Sequence, residues 1–351
     1  MVFRPVDQSP DRVLEFFSQR HEAVIFVSRH GLGDNIFFSP CFEKLRSNFE
    51  KIYFCSSVNA YATIFHESGH IRPLYVGGIN GGGLGLSSTE RFIEHFKAQN
   101  LELPHQINHV YHFGLFETPM AMSHPQAFVK GRRNLIELFG EGLSPRVVPR
   151  YHVAPDLRSK SYVEAIINDW LPGRDLICIA RYGHTDAKKN FGHTHEDGLE
   201  TVNLIDRRFP GRFKFLSLDY LPNRAALDGR LPILRSVYGF LPCDPAALHH
   251  VLARAILLIT VPTGPMLLGA TISGLKLLTL WKDSYLKPFH YLDPQFDVPA
   301  YALVETKRQA STEFMQQWEP EDRAAVEARW RVNVCPLIPK NVAAKAIELL
   351  Q

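Results

Sequence analysis

Short apolar runs rich in β-branched and aromatic residues recur along this chain, and each is followed by a helical pattern. In the first half they are "AVIFVS" (23–28), "KIYFCS" (51–56), "PLYVG" (73–77) and "HVYHFG" (109–114). In the second half they are "LICIAR" (176–181), "FKFLSL" (213–218), "ILLITV" (256–261) and "LKLLTL" (275–280). Runs this apolar belong to strands buried on both faces, and strands that alternate with helices form parallel sheets covered by helices. Helical stretches lie between them: "RSKSYVEAIINDW", "PAALHHVLARAI", and a first-half segment in which Phe38, Phe42, Leu45 and Phe49 share one face. The expected class is therefore α/β.

A chain of 351 residues exceeds one typical core, so two such layers make two domains. The boundary is expected in the proline-punctuated "EGLSPRVVPRYHVAPDL" (141–157), which gives a first domain over 1–155 and a second over 156–338. A short amphipathic helix, "NVAAKAIELLQ", closes the sequence within 339–351. The stretch "VGGINGGGLGLSS" (76–88) is too glycine-rich for an element interior and reads as a loop over the first sheet's carboxyl edge.

Several classes are set aside on composition. A net charge of +3 without a Lys or Arg run argues against a nucleic-acid partner. Five scattered cysteines with no CxxC pair fit neither a disulfide framework nor a zinc cluster, and point to a reducing, cytoplasmic compartment. Acidic residues interrupt the N-terminal stretch where a leader would need an apolar core. The apolar segment 255–281 is broken by Pro262, Gly264, Pro265, Gly269 and Gly274, and reads as strand, turn, helix and strand, not as a membrane span.

Two Rossmann-like halves place a ligand in the crevice at the carboxyl ends of their strands. A dinucleotide cofactor does not fit: G-x-G-x-x-G would require glycine where Ile36 stands, "KIYFCSSV" ends without an acidic residue for a ribose, and no GxxxxGK[ST] loop occurs. No cofactor is expected. A metal is not expected either. The histidines of "GHTDAKKNFGHTHEDG", His184, His193 and His195, lie in a segment that reads as a loop, with no HExxH spacing, and there is no Asp-x-Asp pair.

The turn "SRHGLGDN" (28–35) follows the first strand and carries Gly31, Gly33, Asp34 and Asn35. Asp34 at a helix start can act as an N-cap for a helix beginning at Asn35, or as a general base at the mouth of a cleft. Thr263 and Gly264, where a buried strand turns into a helix, form either a tight turn or a cradle of backbone N–H groups for an anion. Lys188 or Lys189 is either a phosphate contact or part of a solvated loop, and Arg181 either reaches the same anion or caps its strand.

"VSRHGLGDNIFFSPCFEKLRSNF" resembles the opening of the ADP-heptose:lipopolysaccharide heptosyltransferases, glycosyltransferase family nine, in which a first strand runs into a Gly-Asp turn, an apolar stretch, a proline, a leucine and an aromatic residue. Here these are Gly33-Asp34, Ile36 to Phe38, Pro40, Leu45 and Phe49. "LARAILLITVPTGPMLLGA" resembles the family's strand, Asp-Thr-Gly-Pro-x-His and Ala-rich helix, and "ICIARYGHTDAKKNFGHTHEDGLETVNLI" has the outline of its strand, small-residue turn, lysine and helix. The resemblance implies a GT-B fold, two Rossmann-like domains facing each other across a cleft, with the terminal helix crossing back onto the first domain. It also implies an inverting, metal-independent transfer of a sugar, heptose in the family, from a nucleotide sugar to a glycan, lipid-linked or protein acceptor. An acceptor on a lipid would draw the chain to a membrane surface. On this basis Asp34 is the base, Thr263, Gly264, Lys188, Lys189 and Arg181 hold the donor, and Gly31, Gly33, Asn35, Gly82 and Gly83 shape the acceptor side. Two positions depart from the family pattern: Pro262 stands for its aspartate and Leu267 for its histidine. The alternative they favour is a catalytically silent GT-B binding module.

Overall fold

The computed structural model divides into two units, Met1–Asp156 and Leu157–Gln351. It describes residues 4–5, 15–16, 19–28, 32–37, 39, 48–56, 59–75, 109–113, 151, 153–181, 194–218, 244–261, 263–282, 300–305 and 330–351. Some side chains within these elements, Asp34's among them, fall outside the description.

In the first unit the elements are β1 (Arg4–Pro5), β2 (His21–Ser28), α1 (Leu32–Phe37), β3 (Phe49–Ser56), a 3-10 helix (Asn59–Phe65), β4 (Ile71–Pro73) and β5 (His109–Phe113). The sheet order is β1-β5-β2-β3-β4, and every pairing is parallel. β2 is central because its run from Ala23 to Ser28 is buried throughout, as a strand covered on both faces must be. The chain leaves β2 towards β3 on one side and returns to β5 on the other, so the order reverses at the carboxyl end of β2.

Two expectations change here. Phe49, expected on the face of the first helix, instead opens β3, where it is buried and pairs with His21. The third strand covers Ile71–Pro73, not 73–77; it pairs with β3, and Leu74 N donates to the Phe54 carbonyl (2.8 Å) just beyond its end. Phe38, Phe42, Leu45 and the stretch 76–88 lie outside the described residues.

In the second unit come α2 (Leu157–Trp170), β6 (Asp175–Ala180), α3 (His195–Arg208), β7 (Phe213–Ser217), α4 (Pro245–Leu252), β8 (Ala255–Thr260), α5 (Gly264–Ala270), β9 (Lys276–Lys282), β10 (Ala300–Glu305), β11 (Trp330–Val334) and α6 (Pro339–Leu350). Its sheet runs β11-β10-β9-β8-β6-β7, again parallel throughout. Helix starts follow local chemistry. Thr194 and Asp197 form a reciprocal capping box on α3, with Asp197 N donating to Thr194 Oγ1 (3.1 Å) and Thr194 N donating to Asp197 Oδ2 (2.6 Å). Asp244 caps α4 ahead of Pro245. Gly274, at φ 84°, makes the left-handed turn from α5 into β9.

The core of the second unit joins Ile177, Ile179, Val202, Ile205, Leu257, Ile259 and Leu278 to Val342, Ala343, Ala346 and Leu349 of α6. The apolar face of the terminal helix is therefore used within the second unit. Lys276 Nζ donates to the carbonyl oxygen of Leu349, so a cation meets the carbonyl end of α6 where the helix dipole favours it. The buried Trp281 donates its indole N–H to Thr279 Oγ1 (2.7 Å), which donates onward to the Tyr301 carbonyl (3.0 Å); no polar atom in that relay is left unmatched.

Candidate functional site

Each unit presents one carboxyl sheet edge at the point where its strand order reverses, and such an edge is where doubly wound sheets receive ligands. In the first unit this is the end of β2. Ser28, its last residue, is fully buried and donates its hydroxyl to Asn35 Oδ1 at 2.5 Å; Asn35 is fully buried too. Ser39 closes the segment by donating to the Ile36 carbonyl (2.6 Å).

Asp34 is the third residue of α1, which begins at Leu32. A helix starting at Asn35 with Asp34 as its N-cap is therefore not formed. In the first turn of a helix a carboxylate is favoured by the helix dipole. Gly33 is buried inside α1, whereas Gly31, Gly82 and Gly83 lie outside the described residues, as does the Asp34 side chain. Asn35 Nδ2 is buried with no hydrogen-bond partner among the described residues.

In the second unit the order reverses between β6 and β8: from β6 the chain goes to β7 on one side, and from β8 onward it builds the other. Ala180 pairs with Thr260, and Val261 N donates to the Ala180 carbonyl (2.9 Å), so the ends of the two strands are tied. Arg181 leaves β6 at this edge, and Thr263 and Gly264 leave β8 beside it.

Arg181 is fully buried and lies against Gly198 in the first turn of α3. A β-carbon on Gly198 would stand 3.2 Å from Arg181 Cδ, 3.3 Å from Nη1 and 3.4 Å from Nε, so glycine makes the room for this guanidinium. A cation carried this far from water is costly unless an anion or a set of acceptors meets it.

Thr263 is the N-cap of α5 with extended backbone (φ −144°, ψ 179°), but its hydroxyl donates to the Val261 carbonyl (3.2 Å) and caps nothing. Met266 N donates to the Thr263 carbonyl (3.0 Å) and Pro265 has no N–H. The N–H groups that the turn can offer are thus those of Thr263 and Gly264. Leu267, at the position of the family's histidine, is fully buried and packed. Lys188, Lys189 and Pro262 lie outside the described residues. His195, expected in a loop, opens α3, while His184 and His193 lie outside the description.

Sequence reasoning passed over the pairing of Ser28 with Asn35 and the packing of Arg181 on Gly198. The first carried a weak signal, a buried serine ending a strand seven residues before a turn asparagine; the second joins positions on different elements and carried none.

These edges belong to a known class of fold. The chain has the GT-B fold, the fold of the glycosyltransferase structures on which it superposes. The glycosyltransferase family 9 structure from Veillonella parvula superposes with a TM-score of 0.54 at 15% identity, over 94% of this chain and 97% of the other. The E. coli heptosyltransferase WaaC, solved with ADP-2-deoxy-2-fluoro heptose, gives 0.51 at 12% identity, over 94% of this chain and 100% of its own. The dodecameric iron-containing heptosyltransferase TibC, in complex with ADP-D-beta-D-heptose, gives 0.51 at 12% identity, over 95% of this chain and 77% of its own. At this identity the likeness defines the fold. No protein-family model matches the sequence, and no curated protein matches it. Among the described residues no helix is long and apolar enough to cross a membrane.

Proposed function

We propose that this protein is an inverting glycosyltransferase that moves a sugar from a nucleotide diphosphate donor to a hydroxyl of a glycan, lipid-linked or protein acceptor. The observation that carries the proposal is the pairing of chemistry with topology. A carboxylate residue, Asp34, stands in the first turn after the central strand of one parallel sheet, and a buried arginine and a Thr-Gly turn stand on adjacent strand ends of the other. Each set is at its own order reversal.

In this mechanism Asp34 takes the proton of the acceptor hydroxyl as its oxygen attacks the anomeric carbon, and the bond from that carbon to the diphosphate oxygen breaks. The departing charge is met by Arg181, by the Thr263 and Gly264 amides, and by Lys188 or Lys189. A base and a cationic, dipolar cradle complete the chemistry without a metal. The ADP-2-deoxy-2-fluoro heptose of the WaaC structure and the ADP-D-beta-D-heptose of the TibC structure make an ADP-linked heptose the first donor to try, and the resemblance of residues 27–49 to the lipopolysaccharide heptosyltransferases makes a lipopolysaccharide-type saccharide the first acceptor. The reaction would run in the cytoplasm, at a membrane surface where the acceptor is lipid-linked.

The second reading, a silent binding module, is favoured by Leu267: its packed side chain gives no polar contact where the family has a histidine. Thermal-shift measurements with ADP-, GDP-, UDP- and dTDP-sugars separate the two. The enzyme is stabilised by one donor class and turns it over, and Asp34→Asn lowers turnover by about 10²- to 10⁴-fold, the usual worth of a general base, while stabilisation by the donor persists. No stabilisation by any nucleotide would overturn the donor reading. Stabilisation without turnover would establish the silent module.

A further inference from the structure

We propose that His66, Glu67 and Asp156 form a binding site for a divalent transition-metal ion of the zinc type, separate from the sugar-transfer machinery. The site is carried by the first unit alone and does not rest on the glycosyltransferase reading. An imidazole nitrogen, a Glu67 carboxylate oxygen and an Asp156 carboxylate oxygen all lie within 4.8 Å of one another.

The three donors come from two stretches far apart in sequence. His66 and Glu67 follow directly on the 3-10 helix, and Asp156 is the last residue of the first unit. Backbone hydrogen bonds hold the stretches in register: Ala154 N to the Ile64 carbonyl (2.7 Å), Glu67 N to the Ala154 carbonyl (2.8 Å) and Asp156 N to the Thr63 carbonyl (3.2 Å). The convergence of the side chains is therefore built into the backbone.

The chemistry of the donor set selects the ion. One imidazole with two carboxylates suits zinc and its neighbours, whereas magnesium and calcium favour oxygen ligands alone. Zinc bonds of about 2.0–2.2 Å place tetrahedral ligand atoms roughly 3.4 Å apart, so closing on the ion takes a contraction of the order of 1 Å. Glu67 is exposed and can supply that movement, while the buried Asp156 is fixed. The exposed side also gives water a place as fourth ligand. Tyr75 Oη, 3.4 Å from His66 Nδ1, stands beside the ring as an outer partner that steadies its orientation. The ion would tie the end of the first unit to the 3-10 helix and so stabilise that unit, since binding to the folded state alone shifts unfolding by mass action.

The test uses the full chain, stripped with a chelator and titrated with zinc chloride by calorimetry, with thermal unfolding followed in parallel. The expected result is one ion per chain, a rise in the melting temperature of the first unit, and reversal by the chelator. Glu67→Gln, an exposed change that leaves folding intact, is expected to weaken binding at least tenfold, and His66→Gln with Asp156→Asn to abolish it. Metal-free melting temperatures of wild type and variants keep a folding defect distinct from a binding defect; where the double variant unfolds, Glu67→Gln decides. Absence of zinc binding, unchanged affinity in Glu67→Gln, or stabilisation by magnesium but not by zinc would each overturn the assignment.

Discussion

The hydroxyl of Ser28 donates to Asn35 Oδ1 across 2.5 Å, and neither side chain reaches solvent. This bond ties the last residue of the central strand to the helix that carries Asp34. Ser28→Ala leaves the Asn35 carbonyl oxygen without this donor, and Asn35→Ala removes the acceptor that the Ser28 hydroxyl uses here, so each is expected to cost about 1–3 kcal/mol. The double variant is expected to cost less than the two single changes together, because the bond between the two side chains is lost only once. Urea denaturation of the four proteins measures this coupling. Strict additivity would show that the bond contributes nothing.

Gly198 lies inside α3, where alanine is ordinarily worth up to about 1 kcal/mol more than glycine. Here the opposite is expected. The added β-carbon would stand 3.2 Å from Arg181 Cδ, in a place where the arginine is enclosed on all sides. Gly198→Ala should lower stability and weaken binding of nucleoside diphosphates more than of nucleosides. Side-by-side calorimetry with ADP and adenosine checks the second part. A variant more stable than wild type would show that the guanidinium yields freely.

His249 in the last turn of α4 is set against charging. Burial, with His250 edge-on at 5.5 Å between ring centroids as a further cause, lowers its pKa from 6.5 to about 4. The folded state therefore binds this proton less readily than the unfolded chain. Stability from this group is complete above pH 6.5, falls as pH drops from 6.5 to about 4, and is flat below that. The loss is on the order of 3 kcal/mol, at about 1.4 kcal/mol per unit. His249→Gln is expected to remove this part of the acid slope, as urea midpoints between pH 4 and 7 would show. An unchanged slope in that variant would refute the assignment.

Buried strands were the legible part of the fold. Runs such as "ILLITV" and "FKFLSL" are apolar enough to be strands and nothing else, and β8 and β7 lie on them. β10 and β11 escaped because "AYALVE" and "WRVNV" sit towards one edge of the sheet, where a strand need not be apolar along its length. Phe49 was misplaced because its spacing from Phe38, Phe42 and Leu45 satisfies a helix while its burial is that of a strand residue pairing with His21. At the candidate site, glycine, carboxylate and turn residues announce themselves by type. The seating of Arg181 on Gly198, and the approach of Asp156 to His66, are properties of three-dimensional packing that local spacing does not encode.

The dependence of the second unit's core on Val342, Ala343, Ala346 and Leu349 sets an order of events during synthesis. The described strands of the first unit's sheet are all translated by residue 113, so that part of the sheet can assemble while the ribosome is still working. The second unit must wait with the part of its apolar sheet face beside α3 uncovered until residues 339–350 emerge. A stalled or shortened product would thus carry a finished first half and a sticky second one, the form in which chaperones and proteases would meet it.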